Sequence, residues 1–225
     1  GAFDCLQTDE QVIDIAVNRT GDMYATTFNR ILSVDPTSGH CTEKAVATDV
    51  TNYPNALSFV PIGTVSATDE TLVGYSSTLI ADDADQYVKI DTSTGEMTVI
   101  GQLNPDSATT LYSASGDLIS LLRDGNKTYL TVRDRSVDAG VATDKLAQVD
   151  PATGVIIQII GETNQKHIFG LGYWAGKAYG FSDDGRINEI DVTNGSATLL
   201  QTLTGSGGVV PWYGAGVTTN APISP

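Results

Sequence analysis

Hydrophobic and polar residues alternate over short stretches along most of this chain, as they do in half-buried β-strands. No window has the period of an amphipathic helix. One unit occurs four times: an alternating strand, the corner Asp-x-x-x-Gly, and a second strand. Its copies lie at residues 31–39, 88–95, 146–154 and 187–195. A unit repeated in this way predicts an array of similar small sheets.

The corner of the unit has a simple physical explanation. An aspartate side chain accepts hydrogen bonds from amides two or three residues ahead, and glycine adopts the positive φ that returns the chain into the next strand. The corner aspartates are therefore predicted to build turns rather than to take part in catalysis. They are Asp35, Asp91, Asp150 and Asp191.

The spacing of the corners predicts the fold. They follow one another at intervals of 56 (35 to 91), 59 (91 to 150) and 41 residues (150 to 191), and a four-stranded propeller blade takes about 40–50 residues. Two further strands fit upstream of each corner. We therefore predict an all-β fold, a small β-propeller of four-stranded antiparallel blades, in a single domain over residues 1–225.

The two ends of the chain bear on how the ring closes. Residues 213–217 repeat the Gly-x-Gly core of residues 169–173, which predicts another innermost strand. The segment 3–6 is available to pair with a blade edge, and a propeller leaves no such edge open. The pattern fits four blades with a closing strand, and it equally fits five blades with one built from both termini.

Charge narrows the range of partners. The chain has 27 acidic and 12 basic residues and a net charge of −15. Phosphate backbones repel such a surface, so no nucleic-acid partner is expected. No membrane span is expected either, because no stretch approaches the roughly 18 continuous apolar residues that a span requires.

The chain has two cysteines, Cys5 and Cys41. A bridge between them would close a loop of about 36 residues and stabilise the fold by roughly 3–4 kcal/mol in the chain-entropy model. We predict this disulfide, and two independent buried thiols are the alternative.

A family resemblance rests on these repeats. Residues 149–154, Val-Asp-Pro-Ala-Thr-Gly, resemble the hydrophobic-Asp-Pro-x-Thr-Gly signature of secreted bacterial β-propellers of the YVTN/PQQ-like repeat superfamily. The resemblance covers residues from about 12 to 217 and implies the propeller architecture. Because such propellers often accompany adhesion domains in surface proteins, it also implies a role at the cell surface.

Long loops on a rigid scaffold are where binding is expected. The loops at 76–86, 133–144 and 182–185 are acidic and predict one electronegative face. No cofactor is expected, although calcium, which these oxygen ligands would suit, is left open. The candidate ligands are Asp82, Asp83, Asp183 and Asp184. No Asp-x-Asp-x-Asp-Gly loop is present, so solvated turn residues are the alternative.

Aromatic rings at the mouth of the ring are a second candidate site, since a sugar or a peptide can stack on them. The candidates are Tyr173 and Trp174, with Trp212 and Tyr213 in the closing strand. Packing between blades is the alternative. Asp14, on an innermost strand, is a candidate binding residue of the channel, and solvated channel polarity is its alternative.

No catalytic residue is predicted, because His40 and His167 fall on opposite edges of the blades, too far apart for a zinc site or a Ser-His-Asp triad. We expect a non-catalytic binding or adhesion module of a secreted or cell-surface bacterial protein, extracellular or periplasmic, with a protein or glycan partner. It would be a monomeric module within a larger assembly, and its excision from a larger surface protein is left open. The alternatives are a calcium-dependent hydrolase, lactonase-like or glycosidase-like, and a purely structural spacer.

Overall fold

The computed structural model describes residues 3–46, 53–76, 85–122, 125–138 and 140–224. Within these ranges there is no α-helix, and the strands form four antiparallel sheets of four strands each, with one small hairpin. In every four-stranded sheet the strands pair in chain order, as a meander. The predicted all-β propeller is confirmed, with four blades.

In each blade the first strand lies innermost, where it contacts the first strand of a neighbouring blade. Blade 1 contains β1 (Asp14–Val17), β2 (Met23–Thr26), β3 (Arg30–Val34) and β4 (Cys41–Val46). Blade 2 contains β5 (Leu57–Val60), β6 (Thr71–Ser76), β7 (Gln86–Ile90) and β8 (Met97–Gln102). Blade 3 contains β9 (Tyr112–Leu121), β10 (Lys127–Asp134), β11 (Lys145–Val149) and β12 (Ile156–Glu162). Blade 4 contains β13 (Ile168–Trp174), β14 (Lys177–Ser182), β15 (Arg186–Ile190) and β16 (Ala197–Thr202), and the hairpin of β17 (Thr204–Gly205) and β18 (Gly208–Val209) follows it.

The Asp-to-Gly corners have the geometry that their residues predict. Each corner aspartate accepts a hydrogen bond of 2.8 Å from the amide two residues ahead, and each corner glycine has a φ between 72° and 81°. Gly95, Gly154 and Gly195 also lie close to the preceding blade: a Cβ on Gly154 would come within 2.3 Å of the ring of Tyr87. Turn conformation and blade packing therefore both require glycine at this position.

Three hydrophobic clusters join neighbouring blades, and each contains fully buried side chains from both partners. Blades 1 and 2 meet around Ala16, Ile31, Leu57 and Leu72. Blades 2 and 3 meet around Val73, Tyr75, Tyr87, Leu118, Leu130 and Val149. Blades 3 and 4 meet around Ile119, Leu121, Leu146, Ile168 and Leu171. Burial of these apolar side chains, at about 1.5–3 kcal/mol each, supplies the main force that holds the blades together.

The seam between blade 4 and blade 1 is built differently. Within the described residues, no buried hydrophobic cluster joins these two blades. Residues 213–217 lie between β13 and β1 instead: Gly170 lies against Ala215, and a Cβ on Gly216 would be 2.8 Å from the carbonyl oxygen of Ile15. The predicted closing segment thus occupies an inner position, but it forms no strand.

The N-terminal segment covers the side of blade 1 that faces this seam. Phe3 and Leu6 pack on the blade, and Asp4 accepts a 2.9 Å hydrogen bond from the amide of Cys41. The predicted disulfide between Cys5 and Cys41 is confirmed. No strand forms in this segment, so side chains and the disulfide, rather than edge pairing, attach it to the blade.

The close approach at the seam predicts that Gly216→Ala lowers the free energy of unfolding by about 1–3 kcal/mol, because the new methyl group would overlap the backbone of β1. Urea unfolding followed by circular dichroism measures the change. Gly207→Ala is the matched control, since nothing lies within 4 Å of a Cβ at that exposed position. Equal stability of the two variants would show that residues 213–217 do not close the ring.

Candidate binding site

A pocket of about 340 Å³ opens at the mouth of the central channel. It lies on the face where the inner strands begin, and each blade lines it with a residue from its inner strand or from just before that strand. These residues are Ile13, Asn55, Gly116 and Phe169. The lining is completed by Gln11, Val12, Phe28, Tyr53, Ser76 and Tyr213. The pocket is therefore an axial well enclosed by all four blades.

Two residues that line this pocket, Phe169 and Tyr213, have stacked rings, and His167, outside the lining, stacks on Phe169. The ring centroids of His167 and Phe169 are 5.6 Å apart with an interplanar angle of 6°, and those of Phe169 and Tyr213 are 6.5 Å apart at 18°. The Nδ1 atom of His167 lies 2.9 Å from a carboxylate oxygen of Asp183, which orients the outer ring. Tyr213 is 57 % exposed, so its ring is available to a ligand.

Two carboxyl groups meet directly beneath the pocket. Asp14 follows the lining residue Ile13, Asp117 follows Gly116, and the two side chains lie within hydrogen-bonding reach of each other. They are 1 % and 0 % exposed. One member of such a pair must carry a proton, because two carboxylates cannot hydrogen-bond to each other. This contact closes the channel below the pocket.

The axial pair also connects blades. Asp14 accepts hydrogen bonds of 2.8 Å from the amides of Ile15 and Leu57, and Asp117 accepts the amides of Leu118 at 2.6 Å and Leu171 at 2.9 Å. Leu57 and Leu171 begin or belong to the inner strand of the next blade. Burial raises the pKa of both carboxyls well above the ordinary value, and the charge of Asp117 raises the pKa of Asp14 further.

Two more buried aspartates bridge blades in the same way. Asp85 accepts a hydrogen bond of 2.5 Å from the amide of Ala114 in the next blade. Asp144 accepts one of 2.7 Å from the amide of Ile168. Burial raises the pKa of Asp85 to about 6 and also raises the pKa of Asp144. We expected these two residues to contribute to an exposed electronegative face, but they are 5 % and 0 % exposed.

Sequence reasoning missed the bridging role of these aspartates. It placed Asp14 in the channel but foresaw neither its burial nor Asp117 as its partner. A signal was present, because Asp14-Ile15 and Asp117-Leu118 occupy the same place in the inner strands of the first and third units. Comparing alternate repeats, rather than all four at once, would have paired them.

Of the four predicted metal ligands, the structure describes Asp183 and Asp184. Asp82 and Asp83 lie outside the described residues. Asp183 contacts His167 as above, and Asp184 lies 3.1 Å from the guanidinium of Arg186, in a turn closed by a hydrogen bond from the amide of Gly185. Throughout the described ranges, no group of three or more His, Cys, Asp or Glu side chains is placed to hold a metal ion.

The four predicted aromatic residues do not share one mouth. Tyr173 is buried in the core between blades 3 and 4, and Trp174, 63 % exposed, ends β13 at the opposite face of the ring. Trp212 packs on Phe181 with centroids 5.3 Å apart, and Tyr213 alone of the four lines the pocket. The reason is the register of the closing segment, which places Tyr213 beside the start of β13 rather than beside its end.

No protein-family model and no curated protein matches the chain. Among solved structures, an α-L-arabinanase of Penicillium chrysogenum complexed with arabinobiose is 13 % identical with a TM-score of 0.54, over 91 % of this chain and 71 % of that one. A Bacteroides caccae protein of unknown function is 7 % identical (TM-score 0.44, 87 % and 61 % covered). The computationally designed Ika8 protein is 15 % identical (TM-score 0.39, 89 % and 51 % covered). The chain thus spans only 61 % of the length of the Bacteroides caccae protein and 51 % of the length of Ika8.

These likenesses show the fold alone, and membership of the YVTN/PQQ-like superfamily stays a prediction. The disulfide is typical of proteins outside the reducing cytoplasm. Among the residues that the structure describes, no helix is long and apolar enough to cross a membrane.

The raised pKa of Asp85 predicts that stability falls as the pH rises. A carboxyl whose pKa is raised from 3.8 to about 6 on folding contributes fully below about pH 4, and this contribution is lost as the pH rises through 6. We expect the full loss to be about 3 kcal/mol, of which about 2 kcal/mol falls between pH 4.5 and pH 7.5. Urea unfolding of the wild type and of Asp85→Asn at pH 4.5 and pH 7.5 measures it.

The Asp85→Asn variant should have a flatter dependence of stability on pH than the wild type, because an amide does not titrate in this range. Asp106→Asn, at an exposed position, is the matched control and should keep the slope of the wild type. The same slope in all three proteins would contradict the assignment of Asp85 as a buried, proton-binding bridge.

Proposed function

We propose that this chain is a non-catalytic binding module of a secreted or surface-attached protein, and that its channel-mouth pocket binds a glycan. The observation that carries the proposal is the exposed ring of Tyr213, stacked with Phe169 at the rim of an enclosed pocket. Sugar rings present flat C–H surfaces that pack well on aromatic faces.

The polar groups of the pocket support a sugar rather than a purely apolar ligand. Gln11, Asn55 and Ser76 contribute amides and a hydroxyl among apolar and aromatic side chains. A few polar groups placed in a mostly apolar concave site are the usual composition of a pocket for a small ligand. Such groups both donate and accept hydrogen bonds, as sugar hydroxyls require.

The arabinanase of similar fold offers a loose parallel, because it was solved with a disaccharide, arabinobiose. At 13 % identity this parallel concerns the fold. It indicates that a propeller can contain a sugar-binding site. The argument that this chain binds a glycan depends on its own residues.

A glycosidase is the alternative that the geometry disfavours. Such enzymes usually need two carboxyl groups about 5–9.5 Å apart, on either side of the scissile bond. Asp14 and Asp117 instead lie within hydrogen-bonding reach of each other and are fully buried. Among the described lining residues, none is a carboxylate, histidine or cysteine that could act as acid, base or nucleophile. Binding is therefore preferred to hydrolysis.

The proposal predicts that Tyr213→Ala raises the Kd for a bound glycan about five- to tenfold, because a stacked ring contributes on the order of 1 kcal/mol. A glycan array identifies the oligosaccharide that binds best, and titration calorimetry gives its Kd. Trp174→Ala is the matched control, since it removes an exposed aromatic residue at the opposite face and should leave the Kd unchanged. Absence of glycan binding, or an equal effect of both variants, would refute the proposal.

A further inference from the structure

The pocket has no second exit through the described part of the ring. Its floor lies above the contact between Asp14 and Asp117, which are 1 % and 0 % exposed and do not line the pocket themselves. On one side the inner position is occupied by residues 213–217, where a Cβ on Gly214 would lie 2.4 Å from a carboxylate oxygen of Asp14. A ligand that enters at the mouth must therefore stop at this floor.

The shape of the mouth is that of a well rather than a groove. Its lining comes from all four blades and from both terminal segments, with Ile13, Asn55, Gly116, Phe169 and Tyr213 placed around the axis. A groove would admit the middle of a polymer, with the chain leaving at both ends. A well encircled in this way admits one end of a polymer while the rest of it extends into solvent.

The size of the pocket limits how much of a ligand it takes. Its volume of about 340 Å³ is at the lower end of the range for ligand pockets, about 300–1,000 Å³. It thus has room for a terminal sugar unit and part of the next one. The stacked rings of Phe169 and Tyr213 lie along one side of this space.

The charges in and around the pocket limit which terminal sugars it can accept. The described lining contains no lysine or arginine to pair with an anionic sugar and no carboxylate to pair with an amino sugar. The net charge of −15 adds a field that repels acidic ligands. A charged terminal sugar would lose its hydration in the pocket without gaining a partner.

We infer that the pocket recognises the uncharged end of a glycan chain, and not an internal stretch or an acidic terminus. The inference rests on the proposed glycan binding. It adds which part of the glycan enters the pocket and that this part is uncharged. It requires that one end of the glycan enters the well first and stops above the buried Asp14 and Asp117, while the other end remains free.

The experiment uses the whole chain and the neutral oligosaccharide that binds best in solution. Surface plasmon resonance compares three immobilised forms: attached through the reducing end, attached through the non-reducing end, and attached through the reducing end with the terminal sugar oxidised to its uronic acid. If the free non-reducing end enters the well, binding is kept in the first form and falls at least tenfold in the other two. If the reducing end enters, the second form binds and the first does not.

Equal binding to both attachments would overturn recognition of a chain end, and undiminished binding to the uronic acid would overturn the charge selection. Both results would leave glycan binding itself intact. A failure of the proposed function looks different, because no oligosaccharide would then bind in free solution, and the inference would fall with it. The variant Trp174→Ala should keep the preference of the wild type, whereas Tyr213→Ala should weaken the preferred form.

Discussion

Buried aspartates that accept amides from the next blade are the interaction on which this ring depends. Inner strands of different blades belong to different sheets, so amides at their contact have no ladder partner and would cost about 1–3 kcal/mol each if left unpaired in the interior. Four carboxyls remove this cost. The bonded pairs are Asp14 with Leu57, Asp85 with Ala114, Asp144 with Ile168 and Asp117 with Leu171. They fix the relative positions of blades 1 and 2, 2 and 3, and 3 and 4, while the hydrophobic clusters supply most of the adhesion at the same three seams.

Two of these bonds occupy matching places in the first and second halves of the ring. Asp14 reaches from blade 1 to blade 2 as Asp117 reaches from blade 3 to blade 4. The hydroxyls of Thr26 and Thr131 repeat the likeness, since each donates to a carbonyl of the following blade at 3.3 Å. The contact of the two axial carboxyls joins these halves. It also closes the channel and leaves the pocket above it, so the contact between the halves helps to shape the candidate site.

Much of the fold could be predicted because its signals are local. The corners from Asp35 to Asp191 depend on residues within five positions of one another, and the disulfide from Cys5 to Cys41 is the one pairing that two cysteines allow. The candidate site was predicted less well. Tyr213 was named as a candidate and lines the pocket, but Phe28, Tyr53 and Phe169, which also line it, were not named. Their side chains come from three blades, and no local pattern records that they face one space.

By itself, then, the sequence determined the blade: alternating strands, aspartate-to-glycine corners and their repetition dictate a meander whose faces must be buried against similar meanders. Only the tertiary structure decided what each polar or aromatic residue on those strands does. Asp14 became a buried bridge because Asp117, about a hundred residues away, meets it on the axis. Tyr173 is buried in the core between blades 3 and 4. Tyr213 lines the pocket because the closing segment lies beside the start of β13. Burial and charge depend on neighbours in space, and those are set only when the ring closes.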